Sequence, residues 1–133
     1  MKHPEREQQV LFFRWTELIK YNGIKLRSYC YSVPNELPFS GKKAMLAMLN
    51  LRAAGLTKGV FDIECMIPMA PYTGLHIEMK APKPAKSKVS DEQKEIRKML
   101  ELCKRKCCIC YSFEEAKAAM LSYLVLDEYI KHG

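Results

Sequence analysis

Long apolar stretches are missing from this sequence. No run of about 18 apolar residues occurs, which argues against a membrane-spanning helix. The opening residues, Met1-Lys2-His3-Pro4-Glu5-Arg6-Glu7-Gln8-Gln9, are polar and hold no apolar h-region, so no secretory signal is read there and a cytoplasmic location is expected. Acidic residues are in short supply: 15 Asp and Glu stand against 22 Lys and Arg, a net charge of +7. That imbalance favours an anionic partner, of which nucleic acid is the commonest. Internal repeats and domain linkers are also lacking, and 133 residues suit one domain, residues 1–133, with a hydrophobic core of its own.

Metal-binding cysteine patterns are incomplete. Of six cysteines, Cys103, Cys107, Cys108 and Cys110 cluster, but Cys107 and Cys108 are adjacent. No second Cys-x-x-Cys or His pair completes a tetrahedral set. With residues 107–111 as a strand, Cys108 and Cys110 share one face and Cys107 takes the other. Reduced cysteines then pack as small hydrophobes. A cysteine-based metal or redox module is the alternative, decided by metal analysis of the protein.

What is present reads as alternating helices and strands. Residues 4–21 suit a helix, with Pro4 in its first turn, Glu5 and Glu7 at the positive end of its dipole, and Asn22-Gly23 as its stop. Its apolar surface comprises Val10, Leu11, Phe13, Trp15, Leu18 and Ile19. Residues 25–33 suit an aromatic-rich strand. Ser40 is positioned to cap a helix over 41–54, with Gly55 at its C′ position. Residues 68–73 join two strands in a hairpin-like connection. The basic, proline-broken segment 81–89 reads as a loop. Ser90-Asp91-Glu92-Gln93 opens a helix to 105 with a capping box, and Ser112-Phe113-Glu114-Glu115 opens another to 130.

The strands joined by residues 68–73 carry the chemistry. Phe61, Ile63, Cys65 and Ile67 alternate with Asp62 and Glu64, while Leu75, Ile77 and Met79 alternate with His76, Glu78 and Lys80. A period of two sends the apolar set to a core and gathers the polar set on the other face. Paired, the strands bring Asp62 against Glu78 with Lys80 beside them. Two carboxylates, helped by the backbone carbonyl of Met79, suit Mg²⁺, which takes one or two carboxylates plus waters and phosphate oxygens. Such an ion activates water and neutralises charge at phosphorus. Lys80 is placed to orient or deprotonate that water, or to stabilise charge on the phosphate. A solvated sheet face with a cross-strand ion pair is the competing reading, and spacing alone does not choose. His76 shares this face, either to touch substrate or as a packed histidine.

Together, Glu5-Arg6-Glu7-Gln8-Gln9, Val33-Pro34-Asn35, Gly55 with Gly59-Val60-Phe61-Asp62, Glu78-Met79-Lys80 and Ser90-Asp91-Glu92-Gln93-Lys94 resemble a VRR-NUC domain in order and spacing, over residues 5–124. That family belongs to the PD-(D/E)xK nuclease superfamily. The resemblance implies an α/β (α+β) restriction-endonuclease-like core, a central mixed sheet flanked by helices in the order α-β-α-β-β-α-β-α. It implies a Mg²⁺- or Mn²⁺-dependent endonuclease, and stand-alone members resemble Holliday-junction resolvases and tend to be dimeric. By position, Asp62 and Glu78 would bind metal, Lys80 would act at the water, and Gln93 would support the site from its helix. Glu5 or Glu7 would complete the set. Glu5 is preferred because the Glu-Arg-Glu start resembles archaeal resolvases, where the first glutamate is the active one. Three positions depart from the pattern: Phe61 for proline, at a position expected to point away from the site, Met79 for leucine, and Glu36 for glycine.

Lys83, Lys86 and Lys88 follow the Glu-x-Lys strand, and Lys42, Lys43 and Lys58 are expected on the same face. Such lysines hold DNA phosphates without reading sequence. The expected activity is therefore cleavage of branched DNA recognised by shape, in a homodimer with no membrane association. A non-catalytic DNA-binding module that has kept the fold is the alternative.

Overall fold

The computed structural model describes residues 4–34, 40–82 and 88–132, of which 126–132 are described as backbone only. Elements follow in the order α1 (Pro4–Thr16), β1 (Lys20–Tyr21), β2 (Ile24–Lys25), a 3₁₀ turn (Leu26–Tyr29), β3 (Cys30–Ser32), α2 (Lys42–Ala53), β4 (Ile63–Cys65), β5 (Gly74–Met79), α3 (Asp91–Leu102), β6 (Arg105–Cys110) and α4 (Phe113–His132). The expected helix–strand alternation is present, with one addition. A small β1–β2 hairpin stands where the first helix was expected to continue. Asn22 and Gly23, expected to stop a helix, instead turn this hairpin with φ of 51° and 79°. Positive φ at both central residues is what a tight hairpin turn requires. The expected strand over 25–33 is correspondingly split, because a 3₁₀ turn interrupts it before β3.

Four strands form the main sheet in the order β3-β4-β5-β6. β3–β4 and β4–β5 are antiparallel, and β5–β6 is parallel. A parallel neighbour needs a crossover, and α3 supplies it.

The helices α1 and α4 cover one face of the sheet. Phe12, Trp15, Met120 and Tyr123 pack there against Ile63, Cys65, Leu75, Ile77, Met79 and Cys110. Phe12 lies deepest on α1, while Leu18, expected in its apolar surface, is exposed. Two hydrogen bonds lock this layer: Tyr123 Oη donates to Ile67 O at 2.6 Å, and Phe113 N donates to Gln8 Oε1 at 2.8 Å.

The opposite face carries His76 and Glu78. Alternation predicts a polar surface there, yet every residue of β5 is buried. α3 lies over it, with Arg97 Nη2 donating to Cys107 O at 3.1 Å.

The helices α2 and α3 begin differently. Ser90 Oγ accepts from Gln93 N, and Gln93 Oε1 accepts from Ser90 N, both at 3.1 Å, completing the expected capping box of α3. Ser40 does not cap α2; Gly41 precedes it without a side-chain cap. The other end of α2 follows expectation. Gly55, at φ 110°, donates to Arg52 O, and Leu56 N donates to Leu51 O at 2.9 Å. That is a Schellman closure.

Candidate active site

The polar cluster is assembled by three elements. The segment leading into β4 brings Asp62, β5 brings Glu78 and the chain just after it Lys80, and the first turn of α3 brings Gln93. Ile63 pairs with Ile77, so the register places Asp62 opposite Glu78. Asp62 Oδ2 accepts from Met79 N at 2.9 Å, which pins the aspartate to the end of β5.

Gln93 joins the remaining groups. Its Nε2 donates to Glu78 Oε2 at 2.7 Å, and its Oε1 accepts from Lys80 Nζ at 2.9 Å. Lys80 Nζ also lies 3.4 Å from Glu78 Oε2. One glutamine thus caps its helix and fixes the relative positions of a carboxylate and an ammonium group. The alternative of a solvated ion pair does not hold, because Glu78 is only 4% exposed and Gln93 7%.

Gly59 sets the approach of the Asp62 segment to α3. Its φ is 93°, and a Cβ there would meet the backbone carbon of Glu92 at 2.6 Å. Only glycine satisfies both the left-handed backbone and the contact.

Electrostatically, Glu78 is under tension. Burial and the nearby Asp62 push its carboxyl up to about 7, against the opposing pull of Lys80 and Gln93. Its Oε1 is buried and has no hydrogen-bond partner. A buried acceptor without a donor is costly. A cation between Glu78 Oε1 and Asp62 would satisfy it and offset the carboxylate repulsion. The donor set therefore fits a hard divalent ion that keeps waters and phosphate oxygens, with Asp62 and Glu78 as protein ligands and the Met79 carbonyl as the third candidate. Among the described residues, no group of three or more His, Cys, Asp or Glu side chains suits a metal. Glu5, half-buried in the first turn of α1, is accordingly not gathered with Asp62 and Glu78 into a three-carboxylate cluster.

A second polar row continues from this cluster along the same face; Glu64 and His76 were expected there, whereas Arg105 and Tyr31 were not anticipated. Glu64 Oε1 lies 3.2 Å from Arg105 Nη1, which is 3.5 Å from His76 Nε2, and Tyr31 is the cross-strand partner of Glu64. Glu64, His76 and Arg105 share a face by register, which is the signal that could have found Arg105. His76 is a packed histidine, held below its usual pKa chiefly by burial. Phe61 meets its ring edge-on at 6.5 Å. Phe61 was expected to point away from the site. It packs instead against a residue of the site face, because the chain bends at Asp62 before β4 begins.

Of the lysines, Lys42 and Lys43 stand exposed in the first turn of α2, and Lys88 is exposed before α3. Lys58 is paired with Glu92 at 3.2 Å. Lys83 and Lys86 lie outside the described residues. All six cysteines are free thiols. Burial pushes Cys107 up to about 11 and Cys110 up to about 12, which disfavours the thiolates a metal needs. Among the described residues, no helix is long and apolar enough to cross a membrane.

No protein-family model and no curated protein sequence matches the chain. Among solved structures, it is similar to a chain described as a VRR_NUC domain protein, with a TM-score of 0.79 and 21% sequence identity, over 95% of this chain and 92% of that one. The restriction-endonuclease-like architecture expected from the sequence is therefore the fold of this protein.

Proposed function

We propose, from a fold shared with a VRR_NUC domain protein and a buried Asp62–Glu78–Lys80–Gln93 cluster, that this chain is a divalent-metal-dependent DNA endonuclease acting on branched substrates such as four-way junctions. The observation that carries this reading is the orphaned Oε1 of Glu78. A binding module has no use for a buried carboxylate paired with a second one and held beside an ammonium group, whereas a metal-assisted hydrolase does.

In this reading Asp62 and Glu78 hold Mg²⁺ or Mn²⁺, which supplies Lewis acidity to the scissile phosphate and an acidified water when bound. The residues do the positioning. Gln93 holds Glu78 and Lys80 in register, so Lys80 is kept beside the Glu78 carboxylate. As an ammonium group, Lys80 would orient the attacking water by donating to it or stabilise charge on the phosphate oxygens. The Asp62 bond to Met79 N keeps one carboxylate from turning away. Glu5, from the first helix, is a further candidate on the substrate side. Lys42, Lys43, Lys58, Lys83, Lys86 and Lys88 would hold phosphates. A homodimer would place two such sites on two strands of one junction.

One gel tests it: a four-way junction, a flap and a linear duplex are incubated with Mg²⁺, Mn²⁺ or EDTA. Metal-dependent cleavage of the branched substrates, lost in Glu78→Ala, is expected. Equal binding of all three with no nicking under any metal would replace this reading with a non-catalytic DNA-binding module.

A further inference from the structure

At the β3 edge of the sheet runs a groove of about 510 Å³ between α1 and the segment formed by the 3₁₀ turn and β3. Arg6, Arg14 and Arg27 line it, with Val10, Phe13 and Tyr31 as its apolar surface. Arg6, Val10, Phe13 and Arg14 recur at helical spacing, so one face of α1 presents all four. Arg27 is held from the other wall. Its Nη1 donates to Cys30 O at 2.9 Å, and its Cζ stands 4.8 Å from the centre of the Phe13 ring. Among the described residues, none of the three arginines is in an ion pair. The one acid in the lining, Glu17, is 3.3 Å from Lys25. The groove is therefore an unneutralised cationic channel with an aromatic floor.

It lies at the β3 edge of the sheet that carries the candidate active site. Val33 N donates to Asp62 O at 2.7 Å, so Tyr31 stands two residues from the strand neighbour of Asp62. Tyr31 is the cross-strand partner of Glu64, in the polar row that starts at Asp62 and Glu78.

We propose that this groove binds the backbone of an unpaired nucleic-acid strand leaving the candidate active site, with Arg6, Arg14 and Arg27 on its phosphates and Tyr31 against a base. The proposal deepens the nuclease reading and rests on it for the direction of the strand, though not for the binding itself. Arg6 and Arg14 are about 12 Å apart along the helix, room for roughly two to three phosphates. Arginine guanidinium groups suit phosphate, and exposed aromatic rings suit unpaired bases, whose faces a duplex conceals. An exclusively duplex partner would leave the exposed Tyr31 ring unused.

The test measures binding of a fluorescein-labelled oligothymidylate by anisotropy in EDTA, at several salt concentrations, for the full chain. Arg6→Ala/Arg14→Ala and Arg27→Ala are compared with wild type and with Lys98→Ala, an exposed change on α3. Tenfold or greater weakening is expected in the double variant, with the salt slope reduced by about 0.7 per arginine and Lys98→Ala unchanged. Arg27→Lys retains charge and controls for any loss of folding. Unchanged affinity and slope in both arginine variants would overturn the proposal. So would equal displacement of the oligonucleotide from the wild type by poly-glutamate, which would make the groove an acidic-peptide site. Failure of the nuclease reading is separate: a wild type that cuts nothing with Mg²⁺ but binds the strand through these arginines leaves the groove assignment standing.

Discussion

Two helices of the same length, α2 and α3, meet opposite fates. Each spans 12 residues. α3 is the more polar, yet it buries Gln93 at its first turn and lies along β6. α2 is the more apolar, yet it has no buried residue, and Met45, Leu46 and Leu49 are 64%, 60% and 56% exposed. Topology explains the inversion. α3 connects parallel strands, so its path must cross the face of the sheet, and crossing it brings the helix onto Glu78 of β5. α2 connects antiparallel neighbours, β3 and β4, whose connection has no need to cross anything. Burial here follows chain connectivity, and hydropathy alone would rank the two helices in the wrong order.

The sharpest way to break the comparison is to remove the groups that α3 organises. Alanine at Asp62, Glu78 or Lys80 is expected to lower Mg²⁺-dependent cleavage by at least about 10³-fold, as loss of a charge-stabilising or metal-holding group does. Circular dichroism should remain that of wild type. A Glu78→Ala enzyme cutting at the wild-type rate would remove the site from where it is drawn.

A somewhat smaller effect is expected where the Asp62 segment meets α3. Gly59→Ala adds a Cβ 2.6 Å from the Glu92 backbone and forces a non-glycine residue to φ 93°. Backbone strain and overpacking together should cost about 2–4 kcal/mol, read as a lower urea midpoint. An unchanged midpoint would mean that this loop is not seated on α3.

The third effect has a sign that depends on pH. Glu78 has its carboxyl raised to about 7 from an ordinary value of 4.5. The folded protein therefore holds a proton that the unfolded chain has released across that window. Stability is lost as pH rises from about 4.5 through 7, and the whole penalty is in force above 7. Glu78→Gln removes the charge, so in EDTA the variant should be more stable than wild type by about 2–3 kcal/mol at pH 8. At pH 4.5 that advantage should vanish. Thermal melts across this range check it, and a constant difference at every pH would contradict the assignment of the penalty to Glu78.

What could be read in advance divides along the same line. Asp62, Glu78 and Lys80 were legible because a period of two fixes faces, and the capping box fixed where Gln93 stands. The burial of the site face was not legible, since alternation cannot distinguish a face that meets water from one that meets a crossover helix. The β1–β2 hairpin was hidden because Asn22-Gly23 serves equally well as a helix stop and as a hairpin turn. The arginine groove was hidden for a further reason: Arg6 and Arg14 on α1 meet Arg27 only after the 3₁₀ turn folds back along the helix.

The smallest effect tests α2 itself. If α2 contributes no buried surface to its own chain, making its apolar residues polar should leave folding nearly untouched. Met45→Gln/Leu49→Gln is expected to move unfolding stability by less than about 0.5 kcal/mol, the ordinary range for surface substitutions. A matched change in the other layer, Met120→Ala, empties a fully buried position and should cost about 2–5 kcal/mol. Glutamine suits this purpose because its helix propensity is close to that of methionine and leucine, so the comparison isolates side-chain burial from backbone preference. Urea titration at protein concentrations well below and well above micromolar completes the measurement, since a contact between chains makes stability depend on concentration and a contact within one chain does not. A loss of 2 kcal/mol or more that is independent of concentration would mean that α2 packs on its own chain, and the contrast with α3 would collapse.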